Sequence, residues 1–284
     1  MSQRFEGHFR GYQNIELFYQ GWEIKNPAGN LIVTHGISEH SESYHSFASK
    51  LNQHGWNVYA WDLRGHGRSE GQRGYVSSFD EYEKDLRYFS RYLHKSYIKK
   101  DLPSVAFGHS MGGLITTKYF IAYGRTEFSG CVLSSPAMGI NIEVPAWKAK
   151  AAKLANDWLP RLTLPSEIEF TDLNRDPDLL EFYPRDPLRH EKVSPRLYMG
   201  MMDSFNQLPQ LVGEIQLPLL MQLAGLDKVV DSESAKAVFE KIGSPIKKLI
   251  VYENSLHEIY NDLENMQVFK DLFQFIDSLK EVPS

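Results

Sequence analysis

The sequence is poor in the features that mark secreted and membrane-embedded proteins. Its 284 residues include one cysteine, Cys131, so no internal disulfide is possible, which favours a reducing compartment. No apolar run approaches the roughly 18 residues that a membrane-spanning helix needs. Residues 1–14 lack the apolar segment of a signal peptide. These absences predict a globular protein of the cytoplasm.

The chain also has little excess charge, with a formal net charge of −5 at neutral pH. A nucleic-acid partner requires a basic surface that neutralises phosphates, so none is expected. The length suits one large domain or one domain with an insertion. A chain of this size buries roughly three quarters of the surface that it exposes when unfolded, so it needs no disulfide or bound metal to stabilise its fold.

Short apolar runs alternate with helical patterns along most of the chain, which is typical of α/β proteins. One of the helices is predicted to begin at a capping box formed by Ser78 and Glu81. Between residues 139 and 216 the alternation stops and prolines cluster, and a stretch of roughly 75 residues is too long for a simple loop. We therefore predict a mostly parallel central sheet flanked by helices, built from residues 1–138 and 217–284, with residues 139–216 inserted as a helical cap.

Two segments fit the pattern G-x-S-x-G that carries the nucleophile of many serine hydrolases, "GRSEG" at 67–71 and "GHSMG" at 108–112. The nucleophile must lie on a sharp turn between a strand and a helix. Ser110 has an apolar strand pattern before it and a helical pattern after it. Ser69 follows a polar turn and starts no helix. We therefore predict Ser110 as the nucleophile and Ser69 as a loop residue.

A serine nucleophile needs a histidine base and an acid that orients it, and in this arrangement they follow in the order serine, acid, histidine. Asp227 comes just beyond the end of a predicted strand, and His257 just beyond the last strand. Asp231 is an alternative acid, although it stands where it would cap the next helix. His35 is an alternative base that is more simply explained as shaping a turn. We predict Asp227 and His257 as the partners of Ser110.

The oxyanion that forms during ester attack requires two hydrogen-bond donors fixed in advance. The residue after the nucleophile, Met111, presents its backbone N–H at a helix N-terminus. The second donor is expected in the loop after the first buried strand. Ile37, which follows His35 and Gly36, is the predicted source of that N–H.

These segments resemble motifs of the monoacylglycerol lipase family of α/β-hydrolases and its lysophospholipase-like relatives. "HGISEHSESY" is similar to H-G-x-G-E-H-x-x-R-Y, "DLRGHGRSEG" to D-x-x-G-H-G-x-S-x-G, and "YENSLH" to Y-E-G-A-x-H, while "GHSMGG" carries Ser110. The resemblance covers nearly the whole chain. It implies an α/β-hydrolase fold, an ester hydrolase acting on single-chain lipids without a cofactor, and a cap that shapes an acyl-chain tunnel.

The chain departs from these motifs at four positions. Ser38 and Ser43 stand where the first motif has glycine and arginine, and Asn254 and Ser255 replace glycine and alanine in the last. The resemblance implies that this arginine braces the first loop or the head-group end of the site, and Ser43 cannot do so. The predicted triad is intact.

Three residues are predicted to contact the substrate, namely Glu39 in the first motif and Trp147 and Leu154 in the cap. The two cap residues belong to a basic amphipathic helix. Such a helix either contacts a lipid surface or packs its apolar stripe against the core of its own protein, and the sequence leaves both open. The apolar stripe comprises Trp147, Ala151, Leu154 and Trp158, and its basic neighbours are Lys148, Lys150 and Lys153.

We therefore predict a serine carboxylester hydrolase that cleaves monoacylglycerols to fatty acid and glycerol through an acyl-enzyme. Lysophospholipids and short-chain esters are alternative substrates, and a non-catalytic, ligand-sensing member of the fold is a second class. An aminopeptidase is less expected, because an "HGGPG"-type loop is absent. No metal site is predicted, since "HEIYN" has Asn261 where a zinc motif has its second histidine. The oligomeric state does not follow from the sequence.

Overall fold

The computed structural model describes residues 3–125, 127–142, 146–263 and 265–281. These residues form ten strands and eight α-helices. The strands are β1 (Gln3–Arg10), β2 (Glu16–Glu23), β3 (Gly29–Thr34), β4 (Trp56–Trp61), β5 (Ser104–His109), β6 (Gly130–Ser134), β7 (Leu164–Pro165), β8 (Lys192–Val193), β9 (Leu219–Ala224) and β10 (Lys247–Tyr252). The helices are α1 (His45–Gln53), α2 (Asp80–Ser96), α3 (Met111–Tyr123), α4 (Ala146–Trp158), α5 (Pro177–Phe182), α6 (Pro195–Leu211), α7 (Ser232–Lys241) and α8 (Asn265–Ser278).

Eight of the strands form one sheet in the order β1-β2-β4-β3-β5-β6-β9-β10. The pairs from β4 to β10 are parallel, and β1 and β2 join them as antiparallel strands at one edge. The carboxyl ends of the parallel strands therefore meet at one edge of the sheet, where α/β proteins place their ligands. The prediction of a mostly parallel α/β sheet is confirmed.

Helices cover both faces of the sheet, so the central strands have no solvated side. Every residue of β3, β4 and β5 is buried, which explains why these strands are continuous apolar runs instead of alternating patterns. On one face α2 and α3 pack through residues such as Phe89 and Ile115. On the other face α1 and α8 pack through residues such as Leu51 and Leu272.

The segment between β6 and β9 contains α4, α5, α6 and the two-residue strands β7 and β8. Helix α6 joins the main core through Leu197 and Leu208, which are fully or almost fully buried. The boundaries at 139 and 216 stay a prediction, and residues 143–145 of the predicted cap lie outside the described residues, as do residues 1–2, 126, 264 and 282–284 of the predicted core. None of the described helices is long and apolar enough to span a bilayer.

The predicted capping box at the start of α2 is wrong. The N-cap residue is Phe79, and no side chain bonds to the helix there. Glu81 accepts hydrogen bonds from Ser77 Oγ and from Arg64 instead of turning back on the helix. The buried arginine competes for this carboxylate more strongly than the backbone N–H that a capping box would satisfy, because both partners are charged.

Arg64 fixes the long loop between β4 and α2 through a buried cluster of charges. Its Nε and Nη2 bind the two oxygens of Asp85 at 2.6 and 2.8 Å, and its Nη1 binds Glu81. All three side chains are at most 7% exposed. Removal of the arginine would leave two carboxylates buried without a countercharge.

We expect Arg64→Met to lower the free energy of unfolding by about 3–5 kcal/mol, the usual cost of breaking a buried ion pair from one side. Chemical denaturation followed by circular dichroism measures this loss. The control is Arg91→Met in α2, whose side chain is 62% exposed, and it should change the stability by less than about 0.5 kcal/mol. Equal effects of the two substitutions would contradict the role of Arg64.

Candidate active site

Ser110 lies on the turn between β5 and α3, the local structure that the sequence predicts. Its backbone has φ 53° and ψ −123°, which an L-residue adopts only under strain. Hydrogen bonds from its N–H to Ser134 O at 3.0 Å and from Ala137 N–H to its own carbonyl at 2.9 Å fix this conformation. The side chain is therefore carried at the carboxyl edge of the sheet.

Glycines around this turn allow the strand and the helix to approach each other closely. A Cβ atom on Gly108 would lie 2.5 Å from the carbonyl oxygen of Gly112, and one on Gly112 would overlap the carbonyl oxygen of Thr34. A Cβ atom on Gly36 would lie 2.9 Å from Cβ of Ser110. The loop after β3 therefore packs directly against Ser110, and side chains at these glycine positions would push them apart.

His257 and Asp227 are hydrogen-bonded to each other. His257 Nδ1 lies 2.8 Å from Asp227 Oδ2, and both side chains are almost fully buried. The other carboxylate oxygen accepts the N–H groups of Val229 and Val230 at 2.8 and 2.9 Å. An ionised Asp227 holds the proton on Nδ1, which leaves Nε2 of His257 as an acceptor.

The electrostatic surroundings favour the protonated form of His257. Burial by itself lowers the pKa of its imidazole, but the charge and hydrogen bond of Asp227 and the charges of Glu258 and Glu39 outweigh it, so the pKa is raised above its ordinary value of 6.5. The neighbouring His109 behaves in the opposite way. Burial and the charge of His257 lower the pKa of His109 to about 3.

The alternative acid and the alternative base are both engaged elsewhere. Asp231 caps α7, accepting the N–H of Glu233 at 3.0 Å, as the sequence predicts. His35 Nε2 accepts the N–H of Leu63 at 3.0 Å, and its Nδ1 lies 2.7 Å from the carbonyl oxygen of Gly36. His35 therefore shapes the turn after β3.

Ser69, the serine of the other G-x-S-x-G segment, is part of the loop between β4 and α2. Its Oγ donates to the carbonyl oxygen of Asp62 at 2.5 Å and accepts the N–H of Phe18 at 2.9 Å. The bond to Phe18 ties the loop to β2, and the bond to Asp62 holds the loop together, so the role of Ser69 is structural.

Ser110, His257 and Ile37 line one cavity of about 30 Å³. Within the described residues, the N–H groups of Ile37 and Met111 make no hydrogen bond, so both are available to an incoming oxygen atom. Ser110 Oγ and His257 are not hydrogen-bonded within this set either. Such catalytic hydrogen bonds often tighten only in the substrate complex.

The lining of this cavity, called here the catalytic cavity, is divided by polarity. Apolar side chains are contributed by Ile37, Ile168, Phe170, Leu173 and Val229. Besides Ser110 and His257, the polar side chains belong to Ser38, Glu39, His109, Ser166, Arg189, Glu191 and Glu258. The site therefore offers both apolar and charged, hydrogen-bonding side chains to a substrate.

The catalytic cavity has room for about two water molecules and must widen to admit an acyl chain. A neighbouring groove of about 400 Å³ shares four lining residues with it, namely Ser38, Phe170, Arg189 and Glu191. Three of these four belong to the inserted segment. The groove and the cavity therefore adjoin each other at this segment.

The inserted segment also braces the loop that carries His257. The carbonyl oxygen of Leu173 accepts the N–H of Glu258 at 2.7 Å, and Asn174 Nδ2 donates to the Glu258 carboxylate at 3.0 Å. Arg175 binds both carboxylate oxygens of Asp262 at 3.0 and 2.8 Å. Three consecutive residues of the insertion thus hold the segment around the histidine.

Of the three residues predicted to contact substrate, the structure brings one to the catalytic cavity. Glu39 lines it and is 6% exposed. Trp147 and Leu154 are 68% and 69% exposed on α4 and are not part of its lining, so substrate contact by these two residues stays a prediction.

Three further residues of the cavity were not predicted from the sequence, namely His109, Glu258 and Arg189. His109 and Glu258 are the chain neighbours of Ser110 and His257, and this adjacency could have identified them. Arg189 has no predicted site residue next to it in the sequence.

Within the described part of the chain, no three histidine, cysteine, aspartate or glutamate side chains are grouped so as to hold a metal ion. The chemical groups assembled here are a strained serine, a buried histidine–carboxylate pair and two unpaired N–H donors. This combination suits nucleophilic attack on a carbonyl carbon.

The chain is similar to known hydrolases over almost its whole length. A family profile described as serine aminopeptidase, S33, matches residues 25–264. Monoglyceride lipase of Rattus norvegicus is 32% identical over 87% of this chain and 81% of that protein. A phospholipase of Bacillus subtilis is 30% identical over 90% of this chain and 98% of that protein.

The fold has equally extensive counterparts among solved structures. The monoacylglycerol lipase of Paleococcus ferrophilus superposes with a TM-score of 0.81 at 26% identity, covering 98% of this chain and 99% of that one. This agreement confirms the predicted α/β-hydrolase fold. The chain therefore belongs to the serine aminopeptidase S33 family of serine α/β-hydrolases, together with the monoacylglycerol lipases to which its sequence and its fold are similar.

Proposed function

We propose that the protein hydrolyses the ester bond of monoacylglycerols, with Ser110 as nucleophile, His257 as base and Asp227 as the acid that orients the histidine. The observation that carries this proposal is the joint presence of the strained Ser110 turn and the His257–Asp227 pair at one cavity. Similarity to named monoacylglycerol lipases supports the substrate class.

The reaction proceeds in two halves. In the first, His257 Nε2 takes the proton of Ser110 Oγ as that oxygen attacks the ester carbonyl carbon, and the N–H groups of Ile37 and Met111 stabilise the resulting oxyanion. The imidazolium is stabilised by Asp227 and gives its proton to the leaving glycerol oxygen. In the second half, water attacks the acyl-enzyme with the same base, and the fatty acid is released.

The charges lining the catalytic cavity favour a neutral head group. Three carboxylates, those of Glu39, Glu191 and Glu258, face one guanidinium, that of Arg189. A phosphodiester group would meet like charges on this wall, whereas the hydroxyl groups of glycerol would find hydrogen-bond acceptors. This arrangement favours monoacylglycerols over lysophospholipids, although a similar protein of Bacillus subtilis is named a phospholipase.

We expect rapid release of fatty acid from monoacylglycerol and release at least about 10-fold slower from lysophosphatidylglycerol with the same acyl chain, since the net negative charge of its phosphodiester would meet like charges, and such contacts cost several kcal/mol. The comparison measures kcat/KM for both lipids and for short p-nitrophenyl esters.

The matched control is Ser110→Ala, which should lower kcat/KM for every ester by about 10⁴-fold or more. A faster reaction with lysophosphatidylglycerol would overturn the substrate assignment but retain the serine mechanism. An unchanged rate in Ser110→Ala would overturn the mechanism itself.

The raised pKa of His257 predicts the shape of the pH profile. The base acts in its neutral form, so kcat/KM should fall as the pH drops through a value above the ordinary histidine pKa of 6.5. The negative charge of Glu258 contributes to this elevation. Glu258→Gln should therefore move the inflection to lower pH. A wild-type inflection below 6.5, or a shift of the opposite sign in the variant, would contradict the electrostatic account.

We further propose that α4 contacts a lipid surface. Trp147, Leu154 and Trp158 follow one another at helical spacing and are 68%, 69% and 84% exposed. Lys150 and Lys153 on the same helix are exposed, while the side chain of Lys148 lies outside the described residues. An exposed apolar stripe beside basic residues suits the boundary between lipid head groups and acyl chains.

We expect the double variant Leu154→Ser, Trp158→Ser to reduce partitioning onto phosphatidylcholine vesicles with anionic lipid by about 10-fold or more, because each large apolar side chain gains roughly 1.5–3 kcal/mol on full burial. Co-sedimentation measures the bound fraction. Hydrolysis of a water-soluble short ester should stay unchanged. The control is Ile246→Ser, a substitution of a 54% exposed residue next to β10. Equal partitioning of the wild type and the double variant would refute the contact.

A further inference from the structure

Arg189 is a buried cation of the inserted segment that the proposed mechanism does not use. It lies between α5 and β8, and its side chain is 7% exposed. Among the described residues that line the catalytic cavity, it is the one arginine or lysine. A buried guanidinium is costly unless it is paired and hydrogen-bonded, so its presence beside Ser110 requires an explanation.

The partners of Arg189 account for only part of its hydrogen-bonding capacity. Its Nη2 lies 3.7 Å from Oε1 of Glu258, and its guanidinium carbon lies 3.8 Å from the centre of the Tyr183 ring. Its Nε is buried and has no hydrogen-bond partner among the described residues. Buried donors are nearly always satisfied, so this N–H remains available to a ligand in the cavity.

Glu39 supplies an acceptor on the same wall. The N–H of Gly36 at 2.5 Å and the hydroxyl of Tyr44 at 3.2 Å both bind Oε1 of Glu39, so within the described residues its Oε2 is left without a donor. Burial and the charge of Glu258 raise the pKa of Glu39 to about 7, and the charge of Arg189 acts against this rise. The guanidinium therefore helps to keep the carboxylate ionised as an acceptor.

The surroundings of Arg189 overlap those of position 43, where the first motif lacks its arginine. Ser43, where the resembled motif has arginine, lines a smaller cavity of about 20 Å³ together with Glu39, His109 and Glu258. Those last three residues also line the catalytic cavity. A cation extending from position 43 would thus lie near the same two carboxylates, Glu39 and Glu258, as Arg189 does.

We propose that Arg189 replaces the missing motif arginine and, with Glu39, forms the pair that recognises the glycerol hydroxyl groups. The Nε–H of Arg189 donates a hydrogen bond to one hydroxyl oxygen, and Glu39 Oε2 accepts a hydrogen bond from the neighbouring hydroxyl. The assignment rests on the proposed monoacylglycerol hydrolysis and makes Arg189 a specificity-determining residue.

The test compares two esters of the same fatty acid, the 1-monoacylglycerol and the p-nitrophenyl ester, which differ only in the alcohol. We expect Arg189→Met to lower kcat/KM for the monoacylglycerol by about 10- to 100-fold, mainly through a higher KM, because a charged hydrogen bond to the substrate is lost. The p-nitrophenyl ester lacks the hydroxyl groups, so its kcat/KM should change by less than about 3-fold. Arg189→Lys should recover part of the monoacylglycerol activity.

A double substitution that moves the arginine from position 189 to position 43 provides the sharper test. In the double variant Ser43→Arg, Arg189→Met, selectivity for the monoacylglycerol should return towards that of the wild type. The matched control is Arg185→Met, in the same segment with a side chain that is 74% exposed, and it should leave both esters unaffected.

Three outcomes would overturn the proposal. The first is an equal loss on both esters in Arg189→Met, which would indicate a purely structural role. The second is no loss on either ester. The third is a double variant that hydrolyses the p-nitrophenyl ester normally but recovers no monoacylglycerol selectivity. A wild-type protein that hydrolyses only the p-nitrophenyl ester would instead refute the proposed substrate, which separates the two failures.

Discussion

The backbone of Ser110, held at φ 53° between β5 and α3, is the constraint on which the candidate site depends. This conformation requires that β5 and α3 approach each other closely. They can do so because Gly108 and Gly112 have no side chains to separate them. The same packing brings Gly36, and hence the N–H of Ile37, next to the serine. Ser110 and the two predicted oxyanion donors are therefore positioned by one feature of the backbone instead of by separate side chains.

The segment between β6 and β9 contributes hydrogen bonds that hold the loop around His257. Leu173, Asn174 and Arg175 bond to the loop around His257, while α4 extends its apolar stripe into solvent. A movement of the insertion that widens the catalytic cavity would consequently disturb the surroundings of the base. The proposed lipid contact by α4 and the hydrogen bonds to the loop around His257 therefore come from the same segment of the chain.

Much of the fold and of the local structure around Ser110 could be predicted from the sequence, because the patterns that indicate them lie within a few neighbouring residues. A strand, a glycine turn and a helix around Ser110 lie within a few residues of one another, as do Asp231 and the helix that it caps. Contacts between distant segments left no such signal. Nothing adjacent to Arg189 in the sequence indicates Glu258. The predicted capping box at Ser78 failed because Arg64, which lies 17 residues before Glu81 in the chain, binds Glu81.

The measurement that tests the central claim most directly is labelling of the folded protein with a fluorophosphonate ester, followed by mass spectrometry of its peptides. An activated serine beside a base attacks the phosphorus and becomes covalently modified. The account predicts one label per chain on the peptide that contains Ser110, much slower labelling in His257→Ala and none in Ser110→Ala. A label on Ser69, or no label on a folded wild-type protein, would contradict it.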